Sequence, residues 1–252
     1  MEEVLTQAFW IGLAKIIGVN VVLSGDNAVV IALAARSLPP AQRKMAIFWG
    51  AGAAVVLRII LTVFAVALLT LPWLKIIGSV LLFWIGIKLL AGEDDDADIN
   101  ASEHMMTAIK TILIADLVMS LDNVIAVAAA ASGSMTLLIL GLGISIPLVV
   151  FGATLLVTLM ERYPVIITIG GALIGMVAGE MLVTDPVMLD WMKGVASIQV
   201  HGGKPKMFDV ELELVAGAIG AAIVVVWGLW LAKRQEAAAN TSSDEKVQTG
   251  NS

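Results

Sequence analysis

Three aspartates stand in apolar surroundings in this chain. Asp26 lies in SGDNAVVIALAA, residues 24–35, and Asp116 and Asp122 lie in DLVMSLDNVIAV, residues 116–127. Each motif aspartate, Asp26 and Asp122, is followed by an asparagine, Asn27 or Asn123, and preceded two positions earlier by a serine, Ser24 or Ser120. Six positions before Asp26 stands Asn20, and six before Asp122 stands Asp116. At about 100° per residue, Asn20, Ser24 and Asn27 share one helix face, as do Asp116, Ser120 and Asn123, with Asp26 and Asp122 to one side. Carboxylate, carboxamide and hydroxyl oxygens are the donors that Mg²⁺, Mn²⁺ or Ca²⁺ take. Asp26, Asn27, Asp122, Asn123, Asp116 and Asn20 are therefore the candidate ligands of a divalent cation. Met119, beside Ser120, either softens that site toward a transition metal or is plain packing.

A charge at the centre of a membrane span costs about 2.5–3.5 kcal/mol, so three aspartates cost roughly 7–10 kcal/mol unless something offsets them. Protonation, water, a basic partner or a bound cation would do so. One basic residue is expected at depth, Arg58, as a counter-ion to Asp26 or a gating residue. One arginine against three aspartates leaves two negative charges, which a divalent cation matches.

The elements that must position these residues are membrane spans. Of 252 residues, 59% are hydrophobic and 14% charged, against about 25% charged in soluble domains. The class is all-α, a polytopic membrane protein in contact with the lipid bilayer. Apolar runs at about 8–35, 45–70, 73–91, 107–131, 135–160, 164–184 and 212–232 predict seven helices of about 20 residues or more. A transporter domain at 1–234 is expected, followed by a disordered cytoplasmic tail at 235–252, a polar stretch poor in aromatics. The acidic start, MEEVLTQ, argues for a retained first span rather than a secretory signal. Lys and Arg near span ends put the N-terminus outside and the C-terminus in the cytoplasm of a plasma-membrane protein. The net charge of −6 comes from the loop at 93–103, EDDDADINASE, with six acidic residues, so no nucleic-acid partner is implied. That loop is solvated or concentrates cations at the cytoplasmic mouth. The absence of cysteine excludes thiolate chemistry.

The chain repeats itself. Ser24, Asp26 and Asn27 recur 96 positions later as Ser120, Asp122 and Asn123, while Pro72 and Gly78 recur 92 positions later as Pro164 and Gly170. Residues 8–91 and 107–184 then form two three-span halves, inverted relative to each other because three is odd, with 212–232 as an added helix. Such inverted repeats place their sites near the bilayer midplane. Threading in opposite senses puts Asp26 level with Asp116, and Asp122 level with Asn20. Gly25 leaves the first span either broken or continuous at that point. Gly171, Gly175 and Gly179 predict a smooth ridge for close helix packing, and Pro147 a bend in the fifth span. Lys88 and Glu180 fall near span ends, where snorkelling accounts for them; Glu180 is also a candidate accessory ligand.

NVVLSGDNAVVIALAARSLPPAQRKMAIFWG together with DLVMSLDNVIAV resembles the TerC family of bacterial integral membrane proteins, over about residues 8–232. The resemblance implies a place among lysine-exporter-like transporters and export of divalent metal, principally manganese, from the cytoplasm. It carries the family's intramembrane polar positions onto Asp26, Asn27, Asp122 and Asn123, with Asp116 and Asn20 as neighbours. The metal is then cargo, and no resident cofactor is expected. Tellurite chemistry, which the family name suggests, does not suit a site whose buried charge is mostly negative. No P-loop is present, so coupling to protons or to the membrane potential is expected rather than ATP. Three other functions stay open: export of a small organic cation or amino acid, an intramembrane aspartyl protease, and a purely structural membrane partner. The protease contexts Tyr-Asp and Gly-x-Gly-Asp are absent, so the expectation is a transporter and not an enzyme. The oligomeric state is not set by any of these features.

Overall fold

A computed structural model describes residues 7–64, 71–92, 101–131, 134–195, 198–201, 204–208 and 210–249. The acidic stretch 93–100 lies outside the described residues. The first expected span consists of two helices, α1 (Gln7–Leu23) and α2 (Gly25–Ala35), separated at Ser24. Four more follow: α3 (Pro40–Val63), α4 (Leu74–Ala91), α5 (Ala101–Ala131) and α6 (Met135–Arg162). α7 (Val165–Val183), a short α8 (Pro186–Lys193) and a final α9 (Leu212–Thr249) complete the helices. Among the described residues six helices, α3 to α7 and α9, are long and apolar enough to cross a bilayer. α1 and α2 are apolar but short, and together they stand where the first of the seven spans was expected. The protein is all-α in its spans and polytopic. α9 runs on through Gln235 to Thr249, across the segment for which composition predicted a tail. The run QEAAA is rich in good helix formers, and extending a formed helix into water costs little per residue.

The surface is apolar where a soluble protein's would be polar. Trp10, Phe48, Trp49, Trp84, Phe151 and Trp227 are all more than half exposed. Single-face contact with lipid explains this, since an apolar sleeve that wide is a liability in water.

Helix pairing exchanges partners between the two expected halves. α3 packs on α5, and α6 packs on both α1 and α2. Gly78 of α4 faces Val118 of α5, and Gly170 of α7 faces Val29 and Leu33 of α2. The third helix of each half thus crosses the first helix of the other, through a glycine at matched positions. That reciprocity is the packing an inverted repeat requires. The ridge expected on α7 is there as well: Gly175 and Gly179 meet the backbone of α9 at Gly220, Ala216 and Gly217, while Gly171 admits Leu90. A side chain at Gly175 or Gly179 would occupy the space of a backbone carbonyl. Pro147 lies inside a continuous α6.

The two ends of the molecule are fastened differently. At one end Arg36 donates to the carbonyl of Leu89, 3.0 Å, in the last turn of α4. Arg43 donates to the Arg36 carbonyl, 2.9 Å, and pairs with Glu161 at the end of α6, 2.6 Å. Cations at helix C-termini meet both unpaired carbonyls and the negative end of the dipole. At the other end the segment expected as a loop, 185–211, forms α8 and a three-stranded antiparallel sheet, β1 (Ile198–His201), β2 (Lys204–Met207) and β3 (Val210–Glu211). Ile198 faces Met207 and His201 faces Lys204. Lys206 pairs with Glu211 at 3.0 Å and Lys204 with Glu213 at 3.1 Å.

Candidate functional site

Ser24 is where the site begins. Its backbone, φ −106° and ψ 5°, leaves the helical region, and its hydroxyl does not cap α2. Gly25, next in line, has nothing near where a Cβ would stand. Of the two states left open by the sequence, the helix is broken. A break at this depth has two chemical effects. The last turn of α1 presents carbonyls without intrahelical partners, and the first turn of α2 carries a positive dipole end. Asp26 sits in that first turn, where its Oδ1 accepts the Asn27 N–H at 2.8 Å.

Arg58 of α3 is 3% exposed and reaches the same break. Its Nη1 donates to Ser24 Oγ at 3.1 Å and its Nε to Ser120 Oγ at 2.9 Å. Its Nη2 pairs with Asp116 Oδ1 in a very close contact. Ser120, one turn beyond Asp116 on α5, donates to Asp116 Oδ2 at 3.1 Å. Both carboxylate oxygens of Asp116 are thereby satisfied. Thr62 donates to the Arg58 carbonyl at 2.7 Å, one turn along α3. Among the described side chains Arg58 forms its ion pair with Asp116 rather than with Asp26, the partner expected from sequence. The reason is local: Ser120 holds the Asp116 carboxylate on the α5 face against which α3 packs.

Asn27 is the exception in this polar layer. It is 2% exposed, and neither its Oδ1 nor its Nδ2 has a hydrogen-bond partner among the described residues. A buried amide left that way costs about 1–3 kcal/mol. Asn123 is half-buried on α5 and is engaged in the fold. Asn20 and Asp122 lie on α1 and α5, but their side chains fall outside the described ones. Among the described residues no three of His, Cys, Asp and Glu converge; Asp26 and Asp116 are the acids at this layer.

Apolar clusters close the layer on both sides. Phe9, Leu13 and Ile16 pack with Val55, Val127, Leu137 and Leu142 in one. Val30, Leu33 and Ile47 pack with Ile112, Leu121 and Met160 in the other. Two candidates from the sequence lie elsewhere. Lys88 is exposed and sits over the Trp84 ring at 5.8 Å. Glu180 lies beside Gly217 of α9 and within the electrostatic reach of Lys204.

Sequence reasoning missed Asp185. It is fully buried and its carboxylate accepts from four backbone N–H groups: Val187 at 2.9 Å, Lys75 at 3.1 Å, Trp73 at 3.3 Å and Ile76 at 3.4 Å. One side chain thus caps α8 and the start of α4 together. The signal was present as Asp185-Pro186, an N-cap followed by proline at the first helical position, but the partner 110 residues away was not.

No solved structure matches this chain. Three membrane proteins of Bacillus subtilis (strain 168), each described as uncharacterized, are similar to it. YjbE is 44% identical over 177 residues, 70% of this chain and 81% of that protein. YceF is 28% identical over 135 residues, covering 49% of this chain and 52% of its own length. YkoY is 32% identical over 124 residues, 46% of this chain and 37% of its own. The description "Integral membrane protein TerC family" fits residues 5–236, from the start of α1 to the membrane end of α9. With its broken first helix, paired Asp-Asn motifs and buried arginine all inside that stretch, the chain belongs to the TerC family of integral membrane proteins.

Proposed function

We propose that the protein exports a divalent cation, Mn²⁺ first among them, by alternating access across the plasma membrane with the N-terminus outside. Asp26, Asn27, Asp122 and Asn123 are its ligands, with Asp116 and Asn20 as their neighbours. The observation that carries this is Asn27: a buried amide without partners beside a carboxylate and a broken helix. Among the described side chains, Arg58, Asp116, Ser24 and Ser120 are paired within the protein, whereas Asn27 Oδ1, an Asp26 oxygen and the α1 carbonyls are acceptors suited to a hard cation. The apolar clusters on either side are the two barriers, one of which opens at a time. Basic groups collect at the Arg36–Arg43 end, which supports placing that end in the cytoplasm.

The test is intracellular manganese in cells expressing the wild-type chain, Asp26→Asn or Asp122→Asn under manganese load. Export lowers accumulation with the wild type only. Equal manganese in all three, at equal protein levels, would remove the proposal.

A further inference from the structure

We propose that the outward face of α9 holds an anionic phospholipid, with one acyl chain in a hollow beside Trp227 and Trp230 and the phosphate on Lys233 and Arg234. The proposal stands apart from cation export and concerns a surface that the candidate site does not use.

The two faces of α9 do different things. Gly217 faces Met176 and Glu180 of α7, Val224 is buried, and Gly228 admits Leu90 of α4. About half a turn around the helix from Val224 and Gly228 come Val226 and Trp230, both well exposed. Together with Trp227 they line an apolar cavity of about 270 Å³. Trp227 and Trp230 meet edge to face, with ring centroids 6.4 Å apart. That is a favoured geometry for an aromatic pair, and it sets two walls of the hollow.

Cations stand at one end of this hollow. α9 begins at Leu212, so about 20 residues at 1.5 Å each bring it to the edge of the hydrocarbon near Lys233 and Arg234. Both are exposed. In projection down the helix Trp230 lies between them, three residues before one and four before the other. The Arg234 guanidinium lies over the Trp230 ring, 4.7 Å from its centroid. Stacking occupies the flat face of the group and leaves its N–H edge, which takes phosphate oxygens in pairs, for a headgroup. The ion pairs among the described residues engage Arg43, Arg58, Lys193, Lys204 and Lys206, and neither of these two. Glu236 is two positions beyond Arg234, which turns it about 160° away around the helix.

The hollow and the cations together decide the occupant. An apolar cavity on the lipid side of a span is filled by an acyl chain. A cation pair at its headgroup end then favours the lipid whose headgroup carries net negative charge. A zwitterionic lipid brings its own cation beside the phosphate and loses that advantage.

The test is lipid binding to the purified full chain in detergent, read by native mass spectrometry. The readout is the ratio of affinities for phosphatidylglycerol and phosphatidylcholine with the same acyl chains. The wild type favours phosphatidylglycerol, and Lys233→Gln with Arg234→Gln lowers the ratio by about tenfold. Lys88→Gln removes another exposed cation, one stacked on Trp84 in the last turn of α4, and leaves the ratio unchanged. Trp227→Ala with Trp230→Ala weakens the binding of both lipids. Inorganic phosphate, which has no acyl chain, does not displace phosphatidylglycerol. A wild-type ratio near one, a ratio unmoved without Lys233 and Arg234, an equal fall in Lys88→Gln, or displacement by phosphate overturns the proposal. So does a wild-type dimer that Trp227→Ala with Trp230→Ala dissolves, because a second copy then covers this face. Should a variant fail to fold, the wild-type ratio and the phosphate competition decide.

Discussion

Asn27 is a side chain whose cost to the fold and value to the site pull in opposite directions. Its buried amide has no hydrogen-bond partner among the described residues, so Asn27→Leu, of similar volume, should leave thermal stability unchanged or raise it by up to about 1–3 kcal/mol. Manganese tolerance should fall in the same variant. A fall in both melting temperature and tolerance would mean that the amide serves the fold. The Arg58–Asp116 pair behaves in the reverse way. Removing one partner, as in Asp116→Asn, leaves a buried lone charge and should cost about 3–5 kcal/mol, while removing both costs much less. Thermal melting of the two single variants and the double variant measures this directly; a double variant as unstable as the singles would contradict it. The polar arcs on the first and fourth spans, and the layer shared by Asp26 and Asp116, were legible because a helix of known pitch converts spacing into facing. Which carboxylate Arg58 would take was not legible. That depends on how α3 sits against α5, a matter of packing between segments 58 positions apart.

Among the elements, α1 and α2 show how a helix break is written weakly and used strongly. Ser24-Gly25 lowers helix propensity by no more than about 1–2 kcal/mol, which leaves the outcome to tertiary context. The context here is Arg58, which takes the Ser24 hydroxyl. The α7–α9 contact was written strongly, as glycines four apart. Gly179→Val should force the two backbones apart and lower the melting temperature by several degrees or prevent folding; an unchanged melting temperature would show that the helices are not in contact there. The sheet between α8 and α9 was legible in principle. IQVH and KPKM are short runs split by Gly202 and Gly203, a hairpin signal, but in a chain this apolar a polar interval reads first as a loop. Its Lys206–Glu211 pair holds the Glu211 carboxyl below its ordinary value through a hydrogen bond and the lysine charge. That contribution is present above the usual carboxylate range and is lost as pH falls through the lowered value, so the pair is intact at neutral pH. Asp185→Ala tests the other fastening. It strips a shared acceptor from four N–H groups, and hydrogen exchange should quicken at Val187 and at Lys75 together; faster exchange at only one of them would mean that α4 and α8 are not tied through this side chain.

For the whole molecule, the halves cohere because each supplies what the other lacks. α4 and α7 cross onto the opposite half's motif helix through Gly78 and Gly170, so neither three-helix unit buries its own polar face. The repeat was expected from five matched positions, Ser24, Asp26, Asn27, Pro72 and Gly78, whereas the exchange of partners required the fold. Among the described residues the one buried arginine, Arg58, belongs to the first half, and the symmetry of shape is therefore not a symmetry of charge. The most direct test of cation export at this layer is radiolabelled Mn²⁺ flux in proteoliposomes of the purified chain, with Asp26→Asn reconstituted in parallel. Saturable Mn²⁺ flux that Asp26→Asn abolishes is the expected result. Equal flux in both, or none above empty liposomes from folded wild-type protein, would contradict it.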